Sequence, residues 1–180
     1  MTGPKICLTG GIACGKSLLS RFLAEEGVAT VDADDIVHEL VPEEERRRLA
    51  RVVFADPAAR RALEARLHPL VRQRLSARLE ALSERGLALA VIPLLFEVHW
   101  EENFDIICCI TSKRSNQIAR MVVNRGYSRE EAEARLAAQM PVGEKALRSH
   151  YVIPNDGSPD ELRIQAVNFV KWLRGKTATR

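Results

Sequence analysis

The chain has 180 residues, 46% of them apolar and 28% charged, with a formal net charge of +3. That length suits about one domain with a proper core, and no apolar stretch approaches the ~20 residues needed to span a bilayer. So mild a positive charge fits an anionic small ligand as easily as nucleic acid, and selects neither.

In chain order, Lys5 to Thr9 is a short apolar run ending in a glycine turn, which predicts a buried parallel strand. Met1 to Thr9 has no small-residue cleavage site, so no signal peptide is expected. From Lys16 to Glu26, Leu18, Leu19, Phe22 and Leu23 fall at helical spacing, and Gly27 follows as a stop. "VATVDAD", Val28 to Asp34, reads as a second strand ending in two carboxylates. Pro42 to Arg85 is a long helical stretch with one or two breaks. Within it Asp56 is expected to cap a restart at Pro57, and His68-Pro69 marks another start or kink.

Leu87 to Glu97 predicts a third strand whose ladder Pro93 must end, and Phe104 to Thr111 a fourth. Arg114 to Asn124 is helical, and "SREE", Ser128 to Glu131, is a capping box opening another helix. Tyr151 to Asn155 is a last short strand, and "SPDE", Ser158 to Glu161, caps a C-terminal helix. Strands alternating with helices predict an α/β domain, an open parallel sheet covered on both faces. Cys7, Cys14, Cys108 and Cys109 show no C-x-x-C spacing. On a strand the adjacent pair point to opposite faces, so reduced, cytosolic thiols are expected.

Gly10, Gly15, Lys16 and Ser17 fit G-x-x-x-x-G-K-[ST], after a strand and opening a helix. Glycines let backbone N–H groups curl round a phosphate, and the helix N-terminus adds partial positive charge. Lys16 would reach the β- and γ-phosphates, and the Ser17 hydroxyl would hold Mg²⁺. A glycine-rich turn before an ordinary helix is the bland alternative and the weaker one. The pattern reads as a nucleotide phosphate site.

A motor, GTPase or helicase would end another apolar strand in Asp, but Leu87 to Ile92 runs into Pro93. The acids are Asp32 and Asp34, which strand alternation would put on one side, near the phosphate loop. An acid there can take the proton of an attacking hydroxyl or help place a metal. "DADD" also reads as a helix cap with Asp35 as a first-turn charge, and one aspartate can cap while another catalyses. Arg120 and Arg125, followed by "GYSREEAEARLAAQ", suit an arginine-bearing lid. Most arginines in so arginine-rich a chain are nevertheless solvated helix faces or ion pairs.

"TGGIACGKS", "VDADDIVHEL", "VFADP", "LHPLVR", "IPLLFE", "SREEAEARLAAQMPVGEK" and "YVIPNDGS" stand in this order. Together, over Ile6 to Leu173, they resemble the dephospho-CoA kinase family. The resemblance implies transfer of phosphate from ATP to the ribose 3′-hydroxyl of dephospho-CoA, an alcohol acceptor, in the last step of coenzyme A synthesis. It implies a nucleotide-binding core (about residues 1–35, 86–112 and 150–180), a helical substrate-binding part (about 36–85) and a lid (about 113–149). By match to the family pattern, Thr9, Gly10, Gly11, Ile12, Ala13, Cys14, Gly15, Lys16, Ser17 and Leu18 hold ATP, with Mg²⁺ at Ser17. Asp34 looks like the base, with Asp32 beside it at the substrate. Arg120 looks like the catalytic lid arginine, with Lys16 as its partner in charge. Asn155 falls in the adenine-contacting segment, and His68 in the substrate-binding part.

The chain departs from the family pattern at several places. Ala13 and Cys14 stand where Gly and Ser are common, and a thiol beside a helix N-terminus is expected to have a lowered pKa, making its oxidation a candidate block to ATP binding. Asn124 replaces a common arginine, with Arg125 one place later. The family's usual extra stretch between the "DAD" helix and "VFADP" is absent, which implies either a trimmed substrate part or residues missing from the sequence as given. Another nucleotide kinase would share loop and lid but leave "HP" and "IPLLFE" unexplained. A nucleic-acid-binding NTPase would need basic residues alternating with aromatics, and none alternate here. A cytoplasmic monomer acting on small molecules, with no nucleic-acid or membrane partner, is the expectation.

Overall fold

The computed structural model describes residues 3–44 and 57–178. The capping residue expected at Asp56 lies outside them, as does part of the helical stretch expected from Pro42. The first strand is β1 (Ile6–Gly10), followed by helix α1 (Lys16–Glu25), β2 (Ala29–Asp32), α2 (Ala33–Leu40) and α3 (Pro57–Ser83). Then come β3 (Ala88–Val91), a short 3₁₀ turn (Glu101–Asn103) and β4 (Ile106–Thr111). Helices α4 (Arg114–Arg125), α5 (Arg129–Ala137) and α6 (Val142–Leu147) precede β5 (Tyr151–Pro154) and α7 (Pro159–Ala178).

The five strands lie in the order β2-β3-β1-β4-β5, every neighbouring pair parallel. Alternation along each buried strand sorts its side chains between two cores. Ile6, Leu8, Leu89, Val91, Ile106 and Ile110 face α1 and α7. Cys7, Ala88, Ala90, Ile92 and Ile107 face α2, α3 and the loop after β3. Each covering helix meets the sheet with one apolar stripe: Leu19, Phe22 and Leu23 on α1, Val71, Leu75 and Leu79 on α3, Leu162, Ala166, Phe169 and Leu173 on α7. This is the α/β architecture predicted.

Element ends follow their caps. Ser128 and Glu131 form the predicted reciprocal box at α5, and Ser158 and Glu161 exchange the same pair of bonds at α7. Three boundaries differ from the sequence reading. Strand β3 stops at Val91, because the chain turns from Pro93 onward instead of continuing to Glu97. Strand β2 stops at Asp32, because the aspartate caps a helix there. Helix α3 runs through Pro69 as one 27-residue element. Arg78 forks onto Glu39 at 2.6 and 2.9 Å, tying α3 to α2, although so exposed a pair, screened by water, adds little to stability. None of the described helices is long and apolar enough to cross a membrane.

Phe169 has no exposed surface and packs against Tyr151 and Trp172. Phe169→Ala should cost about 3–5 kcal/mol, read as a lower denaturation midpoint with an unchanged slope in a urea titration. A loss under 1 kcal/mol would show that this core collapses around the gap.

Candidate active site

The loop between β1 and α1 leaves the C-terminal edge of the sheet's central strand. A loop that turns N–H groups toward an anion turns carbonyls away from it, and each carbonyl needs a donor. Every carbonyl from Gly10 to Gly15 has one. Lys16 Nζ donates to Gly10 and Gly11 at 3.0 and 2.9 Å, and Gln117 Nε2 to Ile12 at 2.7 Å. Arg120 donates to Ala13 at 3.2 Å, Asn155 Nδ2 to Cys14 at 2.8 Å, and the Leu19 amide to Gly15 at 3.0 Å. Gly15 itself has φ +99°, and a Cβ there would lie 2.3 Å from Asn155 Nδ2. Both facts require glycine at the turn into α1.

Lys16 begins α1, with the exposed Ser17 beside it. Burial, chiefly, pulls the Lys16 ammonium below its ordinary range; Lys145 pushes the same way, while Asp34 and Asp32 oppose it. The two acids therefore lie within electrostatic reach of the lysine, even though β3 separates β2 from β1. They do not share a strand face. Asp32 is the α2 cap, its Oδ1 accepting the Asp34 amide at 2.9 Å. Burial raises its carboxyl, against the lowering effect of that bond. Asp34 is exposed in the first helical turn. The capping falls to one aspartate, and the other is presented to solvent.

Arg120, on α4, spans two neighbours of the loop. Besides Ala13, its guanidinium reaches the Asn155 carbonyl at 2.8 Å and Ser112 Oγ at 3.3 Å. Asn155 is 6% exposed, and its amide is committed to the loop. Next to it, Asp156 Oδ1 accepts from the Lys113 amide at 2.7 Å and from Asn116 at 3.0 Å. The Lys113 bond, first among these, holds the Asp156 carboxyl below the usual range. Arg125 is exposed in the last turn of α4. His68 is brought elsewhere, edge-on to Trp100 at 5.8 Å, with Arg72 stacked on the same indole at 4.6 Å.

What joins "IPLLFE" to "QMPVGEK" is visible only in the structure. Lys145, with 0% exposure, places its ammonium 2.7 Å from Glu97 Oε1 and 2.7 Å from the Pro93 carbonyl. The same Glu97 oxygen accepts the Met140 amide at 3.1 Å. One turn along α6, Arg148 pairs with Glu101. The charged ends of both motifs are thus two halves of one buried contact. Gln117 and Gln139 were likewise not legible as loop contacts; the only signal for Gln117 was a polar residue at an inward-facing helical position, and Gln139, past the end of α5, gave none.

Cys14 departs from its expected chemistry. It has no exposed surface, and burial pushes its thiol up, outweighing Lys16 and the loop amide that would lower it. The helix N-terminus does not activate it.

A glycine loop on the central strand, its lysine near two acids, and helices folded over its tip together define a P-loop phosphotransferase. A model of the dephospho-CoA kinase family matches residues 5–45 and 43–161. The chain belongs to the dephospho-CoA kinase family. Dephospho-CoA kinase of Symbiobacterium thermophilum is 41% identical over 184 residues, 89% of this chain and 77% of that protein. The crystal structure of TT1252 from Thermus thermophilus superimposes with a TM-score of 0.80 at 34% identity, covering 95% of this chain and 98% of that one. Dephospho-CoA kinase from Campylobacter jejuni, at 24% identity, has the same fold with a TM-score of 0.65, over 96% of this chain and 98% of its own.

All four cysteines are free and buried, and burial pushes Cys109 up to about 12. At pH 7.5 a thiol reagent should label the native protein far more slowly than an exposed cysteine, and denaturation should release four reactive thiols. Rapid labelling of one thiol, mapped to Cys14, would restore the activated reading.

Proposed function

We propose that this protein transfers the γ-phosphate of ATP to the ribose 3′-hydroxyl of dephospho-CoA, giving CoA and ADP, the last step of coenzyme A synthesis. The observation that carries it is the placing of two carboxylates, at the end of β2 and in the first turn of α2, within electrostatic reach of the loop lysine, where β3 ends in no acid. That arrangement serves an incoming hydroxyl. Family membership supplies the acceptor.

In this reading the loop amides and Lys16 hold the phosphates. Asp34, exposed at the start of α2, accepts the proton of the 3′-hydroxyl as its oxygen bonds to phosphorus and the bond to ADP breaks. Asp32 fixes the turn that aims Asp34. Arg120 and Asn155 brace the adenine side of the loop, and Arg120 reaches transferring charge only by releasing a carbonyl that it now holds. His68, against Trp100, belongs to the part that receives the acceptor. Residues 113–149 act as the lid. The setting we propose is a cytoplasmic monomer.

Mg²⁺ suits the donor chemistry. Among the described residues no three His, Cys, Asp or Glu side chains gather as a self-contained metal site. Mg²⁺ in phosphoryl transfer takes one or two protein oxygens, completing its shell with phosphates and water. Ser17, with Asp32 or Asp34, would hold it, and it would neutralise phosphate charge.

ATP turnover should depend on dephospho-CoA and not on AMP, CMP or adenosine. Asp34→Asn should lower kcat by about 10²–10⁴ while leaving ATP affinity near wild type; Lys16→Ala should lose both. Equal turnover with AMP would transfer the protein to the nucleotide kinases, and loss of ATP binding in Asp34→Asn would reassign Asp34 to the metal.

A further inference from the structure

This inference rests on the nucleotide reading of the loop. Ile12 stands at the loop tip, and side chains of the 113–149 segment hold its peptide groups from both ends. Gln139, just past α5, accepts the Ile12 N–H on Oε1 at 3.0 Å. Gln117, on α4 and 3% exposed, donates from Nε2 to the Ile12 carbonyl at 2.7 Å. A Cβ on Gly11 would stand 2.7 Å from that nitrogen, so the approach is close. Ile12 and Ala13 also pack against Ile118, Met121 and Ala132 of the two helices.

The planar trans peptide turns these bonds into directions. A peptide's C=O and the next residue's N–H point opposite ways. Gln117, pulling the Ile12 carbonyl outward, turns the Ala13 N–H to the opposite side, the side on which a phosphate loop receives its anion. Gln139, pulling the Ile12 N–H outward, turns the Gly11 carbonyl the other way, where Lys16 Nζ meets it at 2.9 Å. Ala13 is held at φ +56°, a left-handed shape that costs a non-glycine residue on the order of 1 kcal/mol or more. An alanine there needs outside support, and the glutamines supply it. A peptide N–H requires an oxygen and a carbonyl requires a donor, so Gln139 presents its amide oxygen and Gln117 its amide nitrogen.

We propose that Gln117 and Gln139 are positioning residues for ATP: through the two peptide groups of Ile12 they fix the loop tip in its phosphate-binding shape, and they make that shape depend on docking of the α4–α5 segment. Neither touches the nucleotide.

The test is calorimetric ATP·Mg²⁺ binding to wild type, Gln139→Met, Gln117→Met and the double variant, with KM for each substrate and thermal unfolding alongside. Each single variant should weaken ATP binding about fivefold, the worth of one hydrogen bond. The KM for dephospho-CoA and the unfolding temperature of Gln139→Met should stay at wild-type values. The double variant should lose less than the product of the singles, since both act on one tip. ATP affinities equal to wild type would overturn the proposal. So would KM values that rise together with a falling unfolding temperature, which mark a merely structural role. Should buried Gln117→Met fail to fold, half-buried Gln139→Met decides alone. Wild type that bound no ATP would overturn the nucleotide reading itself, and this proposal with it.

Discussion

Six consecutive carbonyls, from the last residue of a strand to the residue before a helix, have to be satisfied without closing the loop they form. That constraint organises this molecule. From Gly10, at the end of β1, to Gly15, at the start of α1, a helical amide serves Gly15, and most of the other donors are side chains. These come from Lys16 and from side chains on α4 and the β5 tail. A buried carbonyl left unpaired costs about 1–3 kcal/mol, so leaving several orphaned would rival the whole stability of a small domain. The loop is open to a ligand on one side because the protein occupies the other.

The loop's other partner, Gln139, which accepts the Ile12 amide, has to be carried to it as well, and the buried Lys145–Glu97 contact does part of that carrying. An ammonium with 0% exposure has surrendered water, and the effective cost in proteins is several kcal/mol per ion. It is offset only by close partners, here a carboxylate and a carbonyl at 2.7 Å each. The contact fixes the start of α6 against the loop after β3, and with it Met140 and the adjoining Gln139. The pair is weak evidence for stability in itself. Its effect is to fix a register between two segments distant in sequence.

Local rules carried most of the fold. Buried strands, both capping boxes and the glycine-lysine loop are short-range patterns, and each stands in the structure where spacing placed it. The readings that moved were those in which two local rules competed. At Asp32 strand alternation lost to helix capping, because a carboxylate two residues before an amide finds it more readily than a ladder partner. At Pro69 a lost hydrogen bond was not enough to break a helix whose Val71, Leu75 and Leu79 already face the core. At Cys14 the helix N-terminus lost to burial. The through-space contacts of Gln117, Arg120 and Gln139 were illegible, since nothing local says which of many polar side chains will meet a loop more than a hundred residues away; nor does anything local pair Lys145 with Glu97.

The strand order has a consequence for how the chain is made. The central strand, β1, is translated before all the others, yet its neighbours are Ala88–Val91 and Ile106–Thr111. An apolar edge therefore waits on the ribosome until about a hundred further residues have emerged, several seconds at ordinary elongation rates. Non-local parallel pairing of this kind forms slowly once it can form. The strand at the centre of the sheet is the one that waits longest for its partners.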